Sequence, residues 1–504
     1  MRQISKIPGL LLLSVLAASA AGAAVSMPQI FSDRMVLQRQ KPVKIWGKAS
    51  PGALVEAEFL GDKKSARADG GGEWSLFLGP FEANSKGAEL SVSENGRPQK
   101  KFSDVLVGEV WVLAGQSNME YTVNGYGKKH FDAENILAAA DDPNIRIARG
   151  TWARLTPENA KKLSVLGFHF GKLLREDLGG VPVGFIQKTM GGAAMMAFMP
   201  RSSMEKIPYL KKYCEDWDKS MVGYDYKKAL AAHNAKLEQR KADIAAKRPA
   251  KPIRWRDTPS PRSSCAPQYT PSSIFDPHVK PIAGYTVRGV LWYQGESDSE
   301  RPSAQCFAEQ MEELVRSWRE AWGEADLPFY QVLLASFERT EDDWPAARLG
   351  QMKSAKNANT GIVNAIDLGE KADIHPQKKF EVARRLERAV LRDIFGRRDI
   401  PQNFASFERA EFDGNSAKLR LGSDKSSVFL KGPLRGVEIK TAKGGDKWRE
   451  APRARLDGNT LAVSCEDGDE ITGVRHLWKN WAQDDVCLWI ADDMPIFPFM
   501  LLKN

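Results

Sequence analysis

Cysteine and histidine are both scarce in this chain. Its five cysteines, Cys214, Cys265, Cys306, Cys465 and Cys487, are odd in number, widely spaced and without a C-x-x-C pair, which argues against a disulfide-stapled scaffold and against a zinc site. Cys465 and Cys487 leave two arrangements open, a bridge between two late strands or single buried thiols. With only six histidines among 504 residues, chemistry that needs an imidazole has few candidates. No run supplies the roughly 20 uninterrupted apolar residues that a membrane-spanning helix needs. Blocks of one charge sign are missing as well. The 73 Lys and Arg are interspersed with 64 Asp and Glu, so the net charge of +9 describes a mildly basic, solvated surface and not a nucleic-acid footprint.

What is present begins with a leader. Arg2 and Lys6 precede an apolar stretch that ends in small residues, with Ala21-Gly22-Ala23 as the cleavage site, so residues 1–23 read as an export signal and the mature protein is expected outside the cytoplasm. Residues 24–103 hold short strand-like runs separated by Gly and Pro clusters, which predicts a small β-sandwich. From 104 to about 400 apolar runs alternate with amphipathic helices, the pattern of an α/β domain with a mainly parallel sheet. Its strands are "VWVLAG", "VPVGFIQKT", "VRGVLWYQG", "PFYQVLLAS" and "GIVNAIDLG". Thr156-Pro157-Glu158 opens a helix carrying Leu163, Leu166, Phe170 and Leu174, and another presents Phe307, Met311, Leu314, Trp318 and Trp322 on one face. Residues 204–262 form a charged helical insertion, and from 401 to 504 strand-like runs resume as a C-terminal β region.

Candidate chemistry gathers where strands end. In "VWVLAGQSNMEY" an apolar strand runs into Gly115 and then Gln116, Ser117 and Asn118, at the carboxyl edge where open α/β sheets build their sites. Ser117 is either a cap for a helix starting near Asn118 or a nucleophile whose own N–H faces developing negative charge. A serine nucleophile needs a base. Of the six histidines only His375 follows a strand in a short polar loop with carboxylates beside it, and Pro376 is expected to open a helix with Phe380, Ala383, Leu386 and Val390 on its apolar face. "VRGVLWYQGESD" ends in Gln294, an amide able to donate to an oxyanion, with Glu296 behind it, and "VGFIQKTMGG" delivers Gly191 and Gly192, whose bare backbone admits a close approach.

The set Ser117, Gly192, Gln294 and His375 resembles the four blocks of the SGNH (GDSL-like) hydrolases, and "GQSNM", "WYQGE" and "DIHP" in this order resemble the signatures of the sialate O-acetylesterase family. "FSDRMVLQRQKPVKIWGKA" near the start and "GVRHLWKNW" near the end extend the likeness over most of the mature chain. The resemblance implies a three-layer α/β/α catalytic domain flanked by the two β regions. It also implies an acetylated carbohydrate substrate, no metal and no organic cofactor. Ser117 and His375 are then the catalytic pair; Ser117, Gly192 and Gln294 form the oxyanion hole, with Gly191 the alternative to Gly192; and Gln116, Asn118 and Glu296 contact substrate. The family's usual acid stands three residues before the histidine, where this chain has Ala372. Asp373, two before, faces the same way in an extended segment and completes a triad, or a Ser-His dyad operates without it. The resemblance makes O-acetylated sialic acids the first expected substrates, with acetylated xylan or other glycans as the alternative and an inactive carbohydrate-binding protein as the competing class.

Overall fold

The structure, a computed structural model, describes residues 25–126, 129–250, 253–339, 341–401, 407–422, 427–466, 468–491 and 494–503. The export signal expected over 1–23 lies outside them. At the centre stands one strand of 19 residues, Arg97–Gly115. Its first half pairs antiparallel with Asn84–Glu94. From Glu109 onward it lies between two parallel partners, Val183–Thr189 and Gly289–Tyr293. The boundary expected at 103/104 therefore falls inside a single continuous strand, and the N-terminal β region is built onto the catalytic sheet through the backbone itself.

The parallel sheet runs in the order Thr360–Val363, Phe329–Val332, Gly289–Tyr293, Arg97–Gly115, Val183–Thr189, Asp142–Ala148, with Trp152–Leu155 added antiparallel at the far edge. Because the chain passes from the central strand to Asp142–Ala148 and Val183–Thr189 on one side and then to Gly289–Tyr293 on the other, connections run in opposite directions about it and a crevice opens at the carboxyl ends. Side chains on the central strand alternate between two cores. Trp111 and Leu113 pack with the helices Val165–Asp177 and Lys379–Asp393, whereas Val110, Val112 and Ala114 pack with the helix Phe307–Trp322. This alternation makes the domain three layers. Phe307, Met311, Leu314, Trp318 and Trp322 are all buried on one helix face.

Several local expectations shift. The helix opened by Thr156-Pro157 lasts only from Pro157 to Ala160, closed by a reciprocal cap between Thr156 and Asn159, and Val165–Asp177 begins separately under a Ser164 cap. In the insertion two helices form, Pro208–Met221 and Tyr226–Ala245, and the second buries none of its residues. The C-terminal β region is antiparallel throughout, around a core of its own. It docks on the catalytic domain where Leu333, Ile362 and Ile366 meet Leu477 and Phe497. Arg348 fastens that junction, donating to the carbonyls of Leu334, Ala335, Lys479 and Asn480. All five cysteines are free thiols, which settles the late pair Cys465 and Cys487 as unbridged.

One buried acid gives the fold a pH signature. Glu387, on the helix Lys379–Asp393, is buried with an unpartnered Oε1, and burial, reinforced by a hydrogen bond with the Asp177 carboxyl, pushes its pKa up to about 8. An acid whose folded pKa exceeds its unfolded value takes up a proton on folding, so its favourable contribution is complete below pH 4.5 and is lost as pH rises through about 8. Glu387→Gln, neutral at every pH, is expected to raise the thermal midpoint near pH 8 and to leave it unchanged below pH 4. Unfolding curves across that range check it; equal midpoints for both proteins at pH 8 would refute the assignment.

Candidate active site

The central strand ends in a turn that only glycine can make. Gly115 has φ +134°, and a β-carbon there would lie 2.2 Å from the Tyr293 carbonyl oxygen. Both neighbouring strands grip the turn. The Gln116 N–H donates to the Tyr293 carbonyl at 3.0 Å, and the Met190 N–H donates to the Gly115 carbonyl at 3.1 Å. A single helical turn, Ser117–Glu120, follows, and Gln116 occupies the cap position. Ser117 is therefore not the helix cap. Its Oγ lies 2.9 Å from His375 Nε2, although the two residues are 258 positions apart in sequence.

His375 is held by its own loop. Asp373 Oδ1 accepts the His375 backbone N–H at 2.8 Å, and the same oxygen stands 3.7 Å from Nδ1 of the ring. That separation is too long for a hydrogen bond but short enough for a charge to act. Tyr126 stacks on the other side of the imidazole, 4.5 Å between ring centres at 18°, and donates its hydroxyl to Glu120. Pro376 does not open the following helix, which begins at Lys379. The loop from Glu370 to Gln377 closes on itself instead, with the Gln377 N–H bonded to Glu370 Oε1. Ala383, Leu386 and Val390 are buried as expected, but Phe380 is 39% exposed. The apolar stripe is phased on 379, 382, 383, 386 and 390, one residue earlier than Phe380 suggested.

Gln294 is hydrogen-bonded within the fold. Sequence places its amide as an oxyanion donor; here Nε2 donates to Asp298 Oδ2 at 2.5 Å and to the Ala193 carbonyl at 3.2 Å, and the residue is fully buried. Both amide hydrogens are committed to holding the glycine turn. Asp298 completes that support by accepting the Met195 N–H and the Ser303 hydroxyl, and its burial raises its pKa. Backbone N–H groups are the other donors at this rim. Ser117 lies in the first turn of its helix, where N–H groups have no intrahelical acceptor, and Gly192, at φ +71°, sits at the glycine turn beside it.

Gln116, Asn118 and Glu296 are bonded to neighbouring loops in this structure. Gln116 Oε1 accepts the N–H groups of Ser297 and Gly295. Asn118, 1% exposed, donates through Nδ2 to Glu296 Oε1 at 2.5 Å and to the Ile374 carbonyl at 2.9 Å, while its Oδ1 accepts from Lys379 Nζ at 2.5 Å. Short polar side chains beside a catalytic turn face inward here because the turn's backbone must be tied to two neighbouring loops. Lys379 was not singled out from sequence. Its ammonium is buried between the rings of Tyr121 and Tyr293, at 4.9 and 5.3 Å, and burial lowers its pKa to about 7, opposed by Glu296, Glu370 and Asp373. The signal was a lysine in phase with the apolar stripe of its helix. Among the described residues no group of three or more His, Cys, Asp or Glu is placed to hold a metal ion, and no helix is long and apolar enough to cross a membrane.

Residues 274–392, which carry Gln294 and His375, match the family described as carbohydrate esterase, sialic acid-specific acetylesterase. The sialate O-acetylesterases of Mus musculus and Homo sapiens are each 23% identical to the chain, over 94% of it and 93% and 92% of their own lengths. A carbohydrate acetylesterase from Xanthomonas citri superposes with a TM-score of 0.76 at 27% identity, covering 95% of this chain and all of that one. The matched segment, the relatives aligned over most of their length and the shared architecture make the chain similar to the sialate O-acetylesterases and carbohydrate acetylesterases, a likeness that marks it as a carboxylic ester hydrolase.

Proposed function

We propose that the protein removes O-acetyl groups from carbohydrate by an acyl-enzyme mechanism on Ser117, with O-acetylated sialic acids as the substrate class. The observation that carries this reading is the 2.9 Å contact between Ser117 Oγ and His375 Nε2 at the carboxyl end of the sheet. Neutral His375 takes the hydroxyl proton as Oγ attacks the acetyl carbonyl. The oxyanion that forms is met by the N–H groups of Ser117 and Gly192. Collapse breaks the bond to the sugar oxygen, which receives the proton from Nε2 and leaves acetyl-Ser117. Water then attacks this ester with His375 again as base, and acetate departs. Asp373, 3.7 Å from Nδ1, stabilises the imidazolium in both steps through charge, and Tyr126 keeps the ring in plane.

Acetate release from O-acetylated sialic acid, acetylated xylan and an aryl acetate tests the substrate assignment. The expected result is a kcat/KM at least about tenfold higher for the sialate than for xylan, a difference of ~1.4 kcal/mol in transition-state binding. Preference for xylan would replace sialic acid by a plant glycan. Equal turnover of all three would remove carbohydrate selectivity from the reading.

A further inference from the structure

Two large aromatic side chains at the catalytic turn are exposed where the hydrophobic effect favours covering them. Tyr126 is 40% exposed and Trp255 50%. Each lies against one member of the glycine pair: a β-carbon on Gly191 would stand 2.6 Å from the Tyr126 hydroxyl, and one on Gly192 would stand 2.7 Å from the Trp255 indole. Any larger residue at either position would displace a ring. Trp255 comes from the charged insertion, in the short turn Trp255–Asp257 that follows its helices.

That turn is fastened to the catalytic loops. Trp255 meets Tyr269 edge-on at 5.5 Å, and the Arg256 guanidinium lies over the same Tyr269 ring at 5.6 Å. Arg254 and Arg256 both pair with Glu300, and the Gln268 carbonyl accepts the Ala194 N–H at 3.0 Å. Ser297 Oγ in turn donates to the Gly192 carbonyl at 2.9 Å. The insertion thus brings its tryptophan to the turn that carries the oxyanion donor, with half of the ring's surface left to solvent. A Trp that served only the core would be covered.

We propose that Trp255 and Tyr126, packed on the Gly191–Gly192 turn, form an aromatic platform whose exposed surface holds the pyranose ring of the ester. A pyranose presents a face of C–H bonds whose partial positive charge complements the negative face of an aromatic ring, and flat aromatic walls with a few polar groups are the common lining of small-molecule sites. The sugar is one ester bond from the acetyl carbon under attack, so a sugar ring resting on the exposed surface of these two aromatic rings, which themselves cover the glycines, brings that carbon towards Ser117. This inference rests on the carbohydrate reading above, and it gives the insertion a role in substrate binding.

Ser117→Ala protein, which binds without turnover, separates the platform from the chemistry. Calorimetric Kd values for O-acetylated sialic acid and for acetylated xylohexaose are measured with Trp255 intact, with Trp255→Ala and with Trp255→Phe. Whichever pyranose binds, Trp255→Ala is expected to weaken it at least about tenfold, Trp255→Phe to restore most of the loss, and Tyr126→Ala to weaken it as well. Kd values indifferent to Trp255, or no binding of either sugar to the Ser117→Ala protein, overturn the platform. In otherwise native protein the ratio of kcat/KM for the bound sugar ester to that for an aryl acetate is expected to fall by the same factor in Trp255→Ala. Sugar binding that depends on Trp255 without acetate release by the native enzyme would sink the esterase reading and leave the platform standing.

Discussion

Ser117→Ala is expected to lower kcat for aryl acetate hydrolysis on the order of 10⁴-fold or more while KM changes by no more than a few-fold, because the lost hydroxyl forms the covalent intermediate and the remaining groups retain only oxyanion binding. His375→Ala should fall to a similar floor, and the double variant no further, since the two act as one unit. The fold around them is expected to persist. Ser117 supplies no cap to its helix and its hydroxyl bonds outward to the imidazole, so deletion leaves no buried donor orphaned in the core. Steady-state kinetics with a burst-phase measurement decide the matter. Residual activity within about tenfold of the native enzyme in Ser117→Ala would mean that another group is acylated.

Asn118→Ala carries the second large effect, and it reaches both stability and rate. Asn118 touches the histidine loop, the Glu296 carboxylate and the Lys379 ammonium at once. Removing it strips the buried ammonium of its acceptor and Glu296 of its donor, a loss of about 3 kcal/mol by comparison with other broken buried charge networks. The Ile374 carbonyl, adjacent to His375, is released at the same time. Displacing a catalytic group by about 1 Å can cost on the order of 10²-fold, so kcat is expected to drop by that order with KM little altered. Lys379→Met retains contact with Tyr121 and Tyr293 and should do less damage to stability than Asn118→Ala. Thermal unfolding and kinetics on the same samples check this. An Asn118→Ala enzyme with native midpoint and kcat within twofold would show that the histidine loop holds itself in place.

Legibility varied with the range of the interactions involved. The α/β class, five of the parallel strands and the face of the helix Phe307–Trp322 could be read along the chain, because burial imposes periods of two and of about 3.6 on local sequence. Strand ends were legible for the same reason, and with them Ser117 and His375, since a strand that stops at small polar residues marks a turn at the sheet's rim. Phe380 shows where this method slips. A one-residue error in phase puts a phenylalanine on the apolar face and leaves Lys379 off it, and no charge rule anticipates an ammonium buried between Tyr121 and Tyr293.

The polar side chains around the nucleophile were the harder part. Gln116, Asn118, Gln294 and Glu296 all stand at strand ends, and sequence offered them to the substrate. In the folded protein the Gln294 amide donates to Asp298 and Ala193 and Asn118 bonds Glu296, Ile374 and Lys379, while Gln294 Oε1 and Glu296 Oε2 are buried without a hydrogen-bond partner. A side-chain amide has the same hydrogen-bonding groups whether it faces a ligand or a backbone carbonyl. Only its surroundings distinguish the two, and apart from Asp298, four residues from Gln294, those come from residues about 100 to 260 positions away.

By itself, then, the sequence determined which residue types stand at the carboxyl rim of the sheet: a hydroxyl after Gly115, a glycine pair after Thr189, an imidazole in the loop beyond Val363. Local patterning suffices for that, because each lies next to the strand that carries it. The tertiary structure alone decided which of these groups meet. Parallel strands exchange no local contacts, and the crossovers between them span dozens of residues, so the approach of Ser117 to His375, the inward turn of Gln294 and the arrival of Trp255 from the insertion are consequences of sheet order and packing that no stretch of the chain encodes on its own.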